Sequence, residues 1–262
     1  MRVDLHNHTT LCNHASGTKQ EYIQKAIELG IDIYGFSDHA PMKEFDPKYR
    51  MSLAQKDAYE KEILDLKVKY QNDITILLGY EVDYLKADYV LDEILNSKVD
   101  YLIGSVHFIN DGWGFDNPEF IGEYKNKNID DIWRDYFDAI ESMANTNQFD
   151  IVGHLDLIKV FKYLPKKDVR VLAKDALKAI KKANMTIEIN SAGFRKPIKE
   201  QYPSISLLEQ AYELDIPITF GSDAHSVEQV GFKYNEVVKI AKDIGYTKVA
   251  IFNSRNRYFV NF

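Results

Sequence analysis

Val3-Asp4-Leu5-His6-Asn7-His8 shows the pattern that decides the fold, because a short β-prone segment runs directly into a histidine-containing turn. Six later segments are also rich in β-branched and other apolar residues, and stretches with helical periodicity separate them. The predicted strands cover residues 3–5, 31–36, 74–79, 101–104, 150–153, 185–189 and 216–220.

Amphipathic segments between and after these strands predict helices. They cover residues 18–29, 52–70, 129–145, 169–183, 204–214 and 227–244. Alternation of this kind is typical of an α/β protein with a parallel sheet, and seven such units favour a TIM-like barrel over an open sheet. A length of 262 residues suits one barrel, although a two-domain chain is the competing interpretation. We therefore expect a (β/α)7 barrel that forms a single domain over residues 1–262.

The composition excludes several classes of protein. A single cysteine, Cys12, rules out an intrachain disulfide and suits a reducing, intracellular compartment. The formal net charge of −7 argues against a nucleic-acid-binding surface, which normally carries concentrated positive charge. No apolar run reaches the ~18 residues of a membrane span, and the N-terminus has no signal-peptide pattern. We expect a cytoplasmic protein that contacts neither nucleic acid nor membrane.

All histidines of the chain follow predicted strands closely. They are His6, His8, His14, His39, His107, His154 and His225. Two acids, Glu81 and Asp223, hold similar positions. The carboxyl ends of all strands of a parallel barrel open on one face, so residues far apart in sequence converge there. A lone histidine is more often a structural residue, but the whole set at strand ends indicates a functional site.

The residue types at these positions suit a metal site. His6 and His8 are two residues apart on an extended segment, so both imidazoles project to the same side and can bind one cation. Asp223 and Glu81 would supply carboxylates, although Glu81 alone could also be an exposed strand-end acid. Imidazole and carboxylate suit zinc, manganese or iron. Cys12, although it lies among these residues, is interpreted as a bystander.

The ordered set of motifs resembles that of the polymerase and histidinol phosphatase (PHP) superfamily, and specifically the histidinol-phosphate phosphatases within it. That pattern is an opening His–X–His, an Asp–His, a Glu, single histidines on later strands and a closing Asp–X–His. All are present in order: His6-Asn7-His8, Asp38-His39, Glu81, His107, His154 and Asp223-Ala224-His225. The resemblance covers nearly the whole chain. It implies a distorted seven-stranded barrel with three divalent metal ions on the face formed by the C-terminal strand ends.

The resemblance also implies how the ligands divide among the three ions. The first ion would be held by His6, His8, Glu81 and Asp223. The second would be held by His107 and His154, with Glu81 as the bridge between the two. The third would be held by His14, His39 and His225. Glu81, Asp223 and His225 are interpreted as catalytic in addition, and Asp38 as either an orienting partner of a ligand or a solvent-facing residue.

Three divalent ions would bring about +6 of charge, and two carboxylates with a bridging hydroxide would remove about 3, so a phosphate dianion would be bound favourably. The bridging hydroxide is the expected nucleophile, and no protein nucleophile is assigned. A ligand histidine or a coordinated water would protonate the leaving group.

Two loops after the strands contain candidate substrate-binding residues. Arg195 offers a planar fork suited to phosphate oxygens, the alternative being a surface arginine that caps the next helix. Trp113, Phe115 and Asp116 could enclose an imidazole and an ammonium group, or could pack as an ordinary loop. Arg255 either reaches the mouth of the barrel or lies on the surface elsewhere.

These features predict a phosphomonoesterase that hydrolyses L-histidinol phosphate to L-histidinol and phosphate, a step of histidine biosynthesis. A phosphodiesterase or exonuclease of the same superfamily is the second interpretation, and the acidic net charge disfavours it. A metal-binding domain without turnover is the third; its metal site would be coordinatively closed, whereas a catalytic site keeps a position for water. The expected partner is a small phosphorylated metabolite, and the expected state is a monomer or homodimer.

Overall fold

The computed structural model describes residues 1–44, 46–85, 89–110 and 112–262. Its strands are β1 (Val3–Asp4), β2 (Ile33–His39), β3 (Thr75–Asp83), β4 (Tyr101–Ser105), β5 (Phe108–Ile109), β6 (Trp113–Gly114), β7 (Ile151–Val152), β8 (Thr186–Asn190), β9 (Ile218–Gly221), β10 (Lys248–Asn253) and β11 (Asn256–Asn261). Its α-helices are α1 (Lys19–Glu28), α2 (Lys56–Lys69), α3 (Asp92–Leu95), α4 (Ile129–Asn145), α5 (Val169–Leu172), α6 (Lys174–Lys182), α7 (Ile205–Glu213) and α8 (Tyr234–Ile244).

Seven parallel strands form the central sheet in the order β1-β2-β3-β4-β7-β8-β9. The two edges of this sheet meet. The backbone N–H of Leu5 donates to the carbonyl oxygen of Phe220 at 2.9 Å, and the N–H of His8 donates to that of Ala224 at 3.0 Å. These bonds tie the segment after β1 to β9 and the residues that follow it. The barrel is therefore nearly closed, and the predicted fold class is confirmed.

The alternation of side chains along the strands builds two apolar layers. In β2, Ile33 faces the inside of the barrel, in a cluster that it shares with Leu77 of β3 and Tyr101 of β4. Its neighbours Tyr34 and Phe36 belong to the larger cluster between the sheet and the helices. The helices cover the outside of the sheet because they present apolar stripes to it. Each strand therefore lies between two packed layers.

A hairpin of β10 and β11 closes the N-terminal end of the barrel. Its apolar residues Val249, Ala250 and Phe252 are buried and join the cluster inside the barrel. At its turn, the N–H of Arg255 donates to the carbonyl oxygen of Asp100, the residue just before β4, at 2.9 Å. This end of the barrel is thereby filled by protein, and the opposite end holds the strand ends that carry the histidines.

The structure departs from the sequence prediction in several elements. The helix predicted over 227–244 begins only at Tyr234, because Gly231 and Lys233 adopt φ angles of 62° and 53° that interrupt it. The helix predicted over 169–183 is divided at Ala173 into α5 and α6. The hairpins β5–β6 and β10–β11 were not predicted. Within the described ranges, no helix combines the length and apolar character that a membrane span requires.

Candidate metal centre

The C-terminal ends of six strands bring the predicted ligands together. His39 is the last residue of β2 and pairs with Glu81 of β3 in the sheet register. His6, His107, His154 and Asp223 each lie two residues beyond the end of their strand. The remaining three, His8, His14 and His225, follow in the first and last of these loops. The convergence of the histidines on one face of the barrel follows from this arrangement.

Glu81 lies at the centre of the cluster and is almost fully buried. One carboxylate oxygen, Oε2, is 3.3 Å from His6 Nε2, 3.5 Å from His8 Nε2 and 3.0 Å from His39 Nδ1. The other, Oε1, is 2.8 Å from His154 Nε2 and 3.6 Å from His107 Nε2. Nitrogen and oxygen ligands of one tetrahedral zinc lie about 3.3 Å apart. Glu81 therefore has the geometry of a carboxylate between two cation sites.

Asp223 faces the first of these two groups. Its Oδ1 is 3.2 Å from His8 Nε2 and 4.0 Å from His6 Nε2. It also lies 3.4 Å from His225 Nδ1, whose N–H donates to the backbone oxygen of Asp223 at 3.1 Å. This hydrogen bond leaves His225 Nε2 available on the opposite side of the ring.

A further cluster of imidazoles adjoins Asp223. The ring centroid of His225 is 4.0 Å from that of His8 and 4.6 Å from that of His14, while His14 and His39 are 5.4 Å apart. The ligand atoms of His8, His39 and His225 lie within 4.8 Å of one another, as do those of Cys12, His14 and His225. His225 is thus shared by two groups, one with His8 and His39 and one with Cys12 and His14, and the predicted trio of His14, His39 and His225 is divided between them.

Several imidazole nitrogens in this centre suit a cation. Nε2 of His6, His8 and His225 and Nδ1 of His39 are buried and have no hydrogen-bond partner among the described residues. Buried polar atoms are normally paired, so a group of unpaired nitrogens aimed at ionised carboxylates fits bound metal. The residues present therefore satisfy the donor requirements of zinc, manganese or iron.

Acidic residues orient three of the imidazoles through contacts to Nδ1, the ring nitrogen that points away from the centre. His6 Nδ1 lies 2.8 Å from Glu188 Oε1, and His8 Nδ1 lies 3.4 Å from Asp38 Oδ1. His107 Nδ1 forms a hydrogen bond with Asp83. A carboxylate that accepts from Nδ1–H leaves the lone pair on Nε2, which is the arrangement seen in carboxylate–histidine–metal triads. Asp38 is fully buried, so the solvent-facing interpretation of this residue is wrong.

The charges in the site agree with this arrangement. Burial raises the pKa values of Glu81 and Asp223, but the surrounding histidines lower them more, so both acids stay ionised. Burial lowers the pKa of His225 well below its usual value, which keeps this candidate ligand neutral. Burial also lowers the pKa of His8 and His107, but neighbouring carboxylates raise it to about 9 and about 10. The carboxylates thus favour positive charge at this end of the barrel.

Two orienting acids, Glu188 and Asp83, were missed at the sequence level. Glu188 lies on β8, a strand with no predicted ligand, and a charged residue inside an apolar strand was the available signal. Asp83 follows Glu81 by two residues on the same face of β3, and its Oδ2 accepts from Arg50 Nη1 at 2.6 Å. Burial raises the pKa of the Cys12 thiol, in keeping with its interpretation as a bystander.

Arg195 lies beside the centre, and it is not the surface arginine capping the next helix that was the alternative interpretation. Its Nη2 donates to the backbone oxygens of Ser222 and Asp223 at 2.9 and 2.8 Å. Its Nη1 is buried and unpaired in the part of the chain that the structure describes. Its guanidinium carbon is 5.2 Å from the centre of the Phe232 ring. The guanidinium is therefore fixed next to Asp223, a candidate metal ligand, with one donor atom unused.

The loop between β4 and α4 divides into residues near the centre and residues in the core. Burial raises the pKa of Asp116, while the charges of His107, His154 and Lys196 lower it, so this acid lies within electrostatic reach of the second candidate ligand group. Phe115 is fully buried against Tyr136, with ring centroids 5.4 Å apart, so for this residue the packed-loop interpretation is correct. Asp111, which belongs to the same candidate substrate loop in the sequence, lies outside the described residues.

Trp113 has a mixed environment. Its ring packs edge-on against Tyr124 at 4.8 Å, and Lys127 Nζ lies 5.3 Å from the ring centre. Its indole nitrogen is buried, and no described residue accepts from it. These contacts hold the indole ring in the loop.

Arg255 is not near the centre, and its predicted role in substrate binding is wrong. Its guanidinium pairs with Asp150 and donates to the backbone oxygen of Gln148 at 2.7 Å. Both partners precede β7, so Arg255 lies at the N-terminal end of the barrel, away from the histidines. The physical reason is that β10 and β11 fold back under the barrel after α8, which places their turn at that end.

The chain is similar to proteins of known family over nearly its whole length. Residues 4–192 match the PHP domain model, and residues 208–244 match the PHP-associated model. A probable histidinol-phosphatase of Deinococcus radiodurans is 39% identical to the chain, and the alignment covers 92% of this chain and 93% of that protein. The histidinol-phosphatase of Bacillus subtilis is 32% identical, and the alignment covers 88% of this chain and 96% of that protein.

A solved structure shares the fold. The chain superimposes with a TM-score of 0.82 on the histidinol phosphate phosphatase of Lactococcus lactis, which was crystallised with zinc, L-histidinol and phosphate. The two proteins are 23% identical, and the superposition covers 98% of each chain.

Proposed function

The chain belongs to the PHP domain family, and from this premise we propose that it is a metal-dependent phosphatase that hydrolyses L-histidinol phosphate to L-histidinol and phosphate. The observation that carries this proposal is the set of buried, unpaired imidazole nitrogens around Glu81 and Asp223, at the open end of the barrel. Relatives at 39% and 32% identity are named for the same activity, which supports the choice of substrate.

We propose that this centre holds three divalent ions. The first site would use His6, His8, Glu81 and Asp223, and the second His107, His154 and the second oxygen of Glu81. The third site would use His14, His39 and His225. Support comes from the position of Glu81, one of whose oxygens faces His6, His8 and His39 while the other faces His107 and His154. Zinc in the Lactococcus lactis protein supports zinc as one of the metals that this site accepts.

Bound divalent ions lower the pKa of coordinated water toward neutrality and polarise phosphoryl oxygens, which is the chemistry that phosphomonoester hydrolysis needs. The residues of this chain prepare the site for it. Glu81 and Asp223 stay ionised, and His225 stays neutral, so these groups need no proton transfer before they act as ligands. We propose that these three residues act in catalysis through the metal ions that they would hold.

Substrate recognition would divide between two charged residues on the rim. Arg195 offers an unused donor beside Asp223, and this donor would bind a phosphate oxygen. Asp116, beside His107 and His154, would pair with the substrate ammonium group. Trp113 would contribute the face of its ring to the imidazole.

The two matched family segments share one sheet, which supports a single domain. β8 belongs to the first segment and β9 to the second, and the two strands pair in parallel over four residue pairs. We therefore propose that residues 1–262 form one domain. The cytoplasmic location, the absence of a nucleic-acid partner and the monomeric or dimeric state stay predictions.

The test of this function is phosphate release by protein loaded separately with zinc and with manganese. The substrates are L-histidinol phosphate, several sugar phosphates and a phosphodiester. We expect kcat/KM for L-histidinol phosphate to exceed that for each other compound. Equal activity on all monoesters would contradict the assigned substrate, and cleavage of the diester alone would contradict the phosphomonoesterase activity as well.

A further inference from the structure

β8 contributes no predicted ligand, yet one of its residues contacts predicted ligands that follow two other strands, β1 and β7. Glu188 is about 1% exposed and lies on the inner side of the strand. Its Oε1 lies 2.8 Å from His6 Nδ1, which belongs to the loop after β1. Its Oε2 accepts the backbone N–H of His154, in the loop after β7, at 2.8 Å. The two oxygens of one carboxylate thus hold a side chain on one side and a backbone on the other.

The contact to His154 holds an unusual backbone conformation. His154 has a φ of 23°, in a region that residues other than glycine rarely adopt. Such a conformation persists only where the surroundings determine it. The hydrogen bond to Glu188 fixes the N–H of this residue and so directs the His154 side chain toward Glu81, where Nε2 lies 2.8 Å from Oε1.

Asn190 extends the same contact to a third ligand. Its Nδ2 donates to Glu188 Oε2 at 3.1 Å and to Asp223 Oδ2 at 3.3 Å. Asp223 has a φ of 51°, so it too is held in a conformation that few residues adopt. Glu188 is therefore linked to ligands that follow β1, β7 and β9.

The neighbouring strand leaves space for this carboxylate. A Cβ atom at Gly221 of β9 would lie 1.9 Å from Glu188 Oε1 and 2.6 Å from His6 Cβ. No side chain fits at this position while Glu188 and His6 keep their contact. The glycine is explained by the volume that the Glu188 carboxylate occupies.

We propose that Glu188 is a positioning residue shared by the first and second metal sites, and that it sets the affinity of both together. This inference rests on the metal centre proposed above. Glu188 orients His6 for the first site and His154 for the second. Asp83 offers a matched contrast, because its contact to a ligand is limited to His107 of the second site among the described residues.

The test compares Glu188→Gln with Asp83→Asn and wild type. Glutamine keeps the shape of Glu188 but has only one oxygen, so either His6 or the His154 N–H faces an amide donor. Loss of an outer carboxylate typically weakens metal binding ten- to hundred-fold. We expect E188Q to weaken two ions per chain by about this factor, and D83N to weaken one. The measurement is metal content per chain after equilibration against a series of chelator concentrations.

A second variant separates positioning from charge. Glu188→Asp keeps the negative charge but withdraws both oxygens by one methylene, so we expect it to weaken the same two ions. Wild-type affinity in Glu188→Asp would show that charge alone matters and would overturn the positioning role. Melting of the metal-free proteins is the control for folding, and added metal should restore activity to E188Q if occupancy is what it lost.

The outcomes distinguish this inference from the function on which it rests. If wild type binds divalent metal and E188Q binds it equally well, the role of Glu188 is wrong and the metal centre stands. If E188Q loses a single ion, as D83N does, the sharing between two sites is wrong. If wild type binds no divalent metal, the metal centre fails and the role of Glu188 fails with it.

Discussion

The two ends of the barrel use their acidic residues in opposite ways. At the N-terminal end, Arg255 pairs with Asp150, and Lys67 Nζ donates to Asp100 at 2.9 Å. At the C-terminal end, carboxylates and imidazoles lie together with buried nitrogens that the described protein leaves unpaired. In TIM-like barrels, residues at the N-terminal face serve stability and those at the C-terminal face serve catalysis. The comparison indicates that an acidic residue with a charged partner inside the protein serves stability, whereas acidic residues beside unpaired imidazole nitrogens serve function.

Among the variants of either end, removal of the central carboxylate, Glu81, should reduce activity most. In Glu81→Gln, both proposed metal sites lose a negative ligand, and several kcal/mol of charge stabilisation in the transition state is lost. We expect kcat/KM for L-histidinol phosphate to fall by about 10³-fold or more, with metal content also reduced. Glu119→Gln, at an exposed acid paired with Lys48, is the matched control and should keep wild-type kinetics. Near-normal activity in the Glu81 variant would refute the bridging role.

Loss of the proposed phosphate contact should have the next largest effect. In Arg195→Ala, a fixed donor beside Asp223 disappears, and we expect kcat/KM to fall by about 10²-fold, as for removal of one donor to a transition-state oxygen. Metal content should not change. Arg170→Ala, at an exposed ion pair with Glu213, controls for loss of surface charge. Unchanged steady-state kinetics in the Arg195 variant would rule out the phosphate contact.

The same substitution at the other end of the barrel should change stability and leave catalysis intact. Arg255→Ala leaves Asp150 partly buried without its partner, and we expect a loss of about 1–3 kcal/mol in the free energy of unfolding. Its kcat/KM should stay within about twofold of wild type. Arg134→Ala, at an exposed pair with Asp131, should change stability by less than about 0.5 kcal/mol. Denaturant unfolding and phosphate release measure the two quantities, and a large loss of activity in Arg255→Ala would remove the distinction between the ends.

The smallest effect concerns pH. In metal-free protein, His8 and His107 have pKa values of about 9 and about 10, raised above 6.5 by nearby carboxylates. A raised pKa contributes stability that is complete below pH 6.5 and is lost as pH rises through the folded value. We therefore expect the melting temperature of chelator-treated protein to fall by a few °C between pH 6.5 and pH 10. Calorimetry across this range checks the expectation, and a constant melting temperature would contradict it.

Much of this architecture could be predicted from the sequence because the strands are short, apolar and separated by amphipathic helices. The position of a histidine just after such a strand places it at the C-terminal end of the barrel without knowledge of the packing. Glu188 could not be identified in this way, because its importance depends on which strands become its neighbours. Arg255 was misplaced because a basic turn near the chain terminus does not reveal to which end of the barrel it returns.

The closure of the sheet between β1 and β9 has a consequence for folding. Ser222 donates through its backbone N–H to Asp4 Oδ1 at 2.9 Å, across a separation of 218 positions in the chain. Contacts between residues so far apart in sequence form slowly, since a long loop must close before they contribute stability. On a ribosome, His6 and His8 emerge early but cannot meet Asp223 until most of the chain has been synthesised. Metal capture by the full ligand set would therefore mark the end of folding and not its beginning.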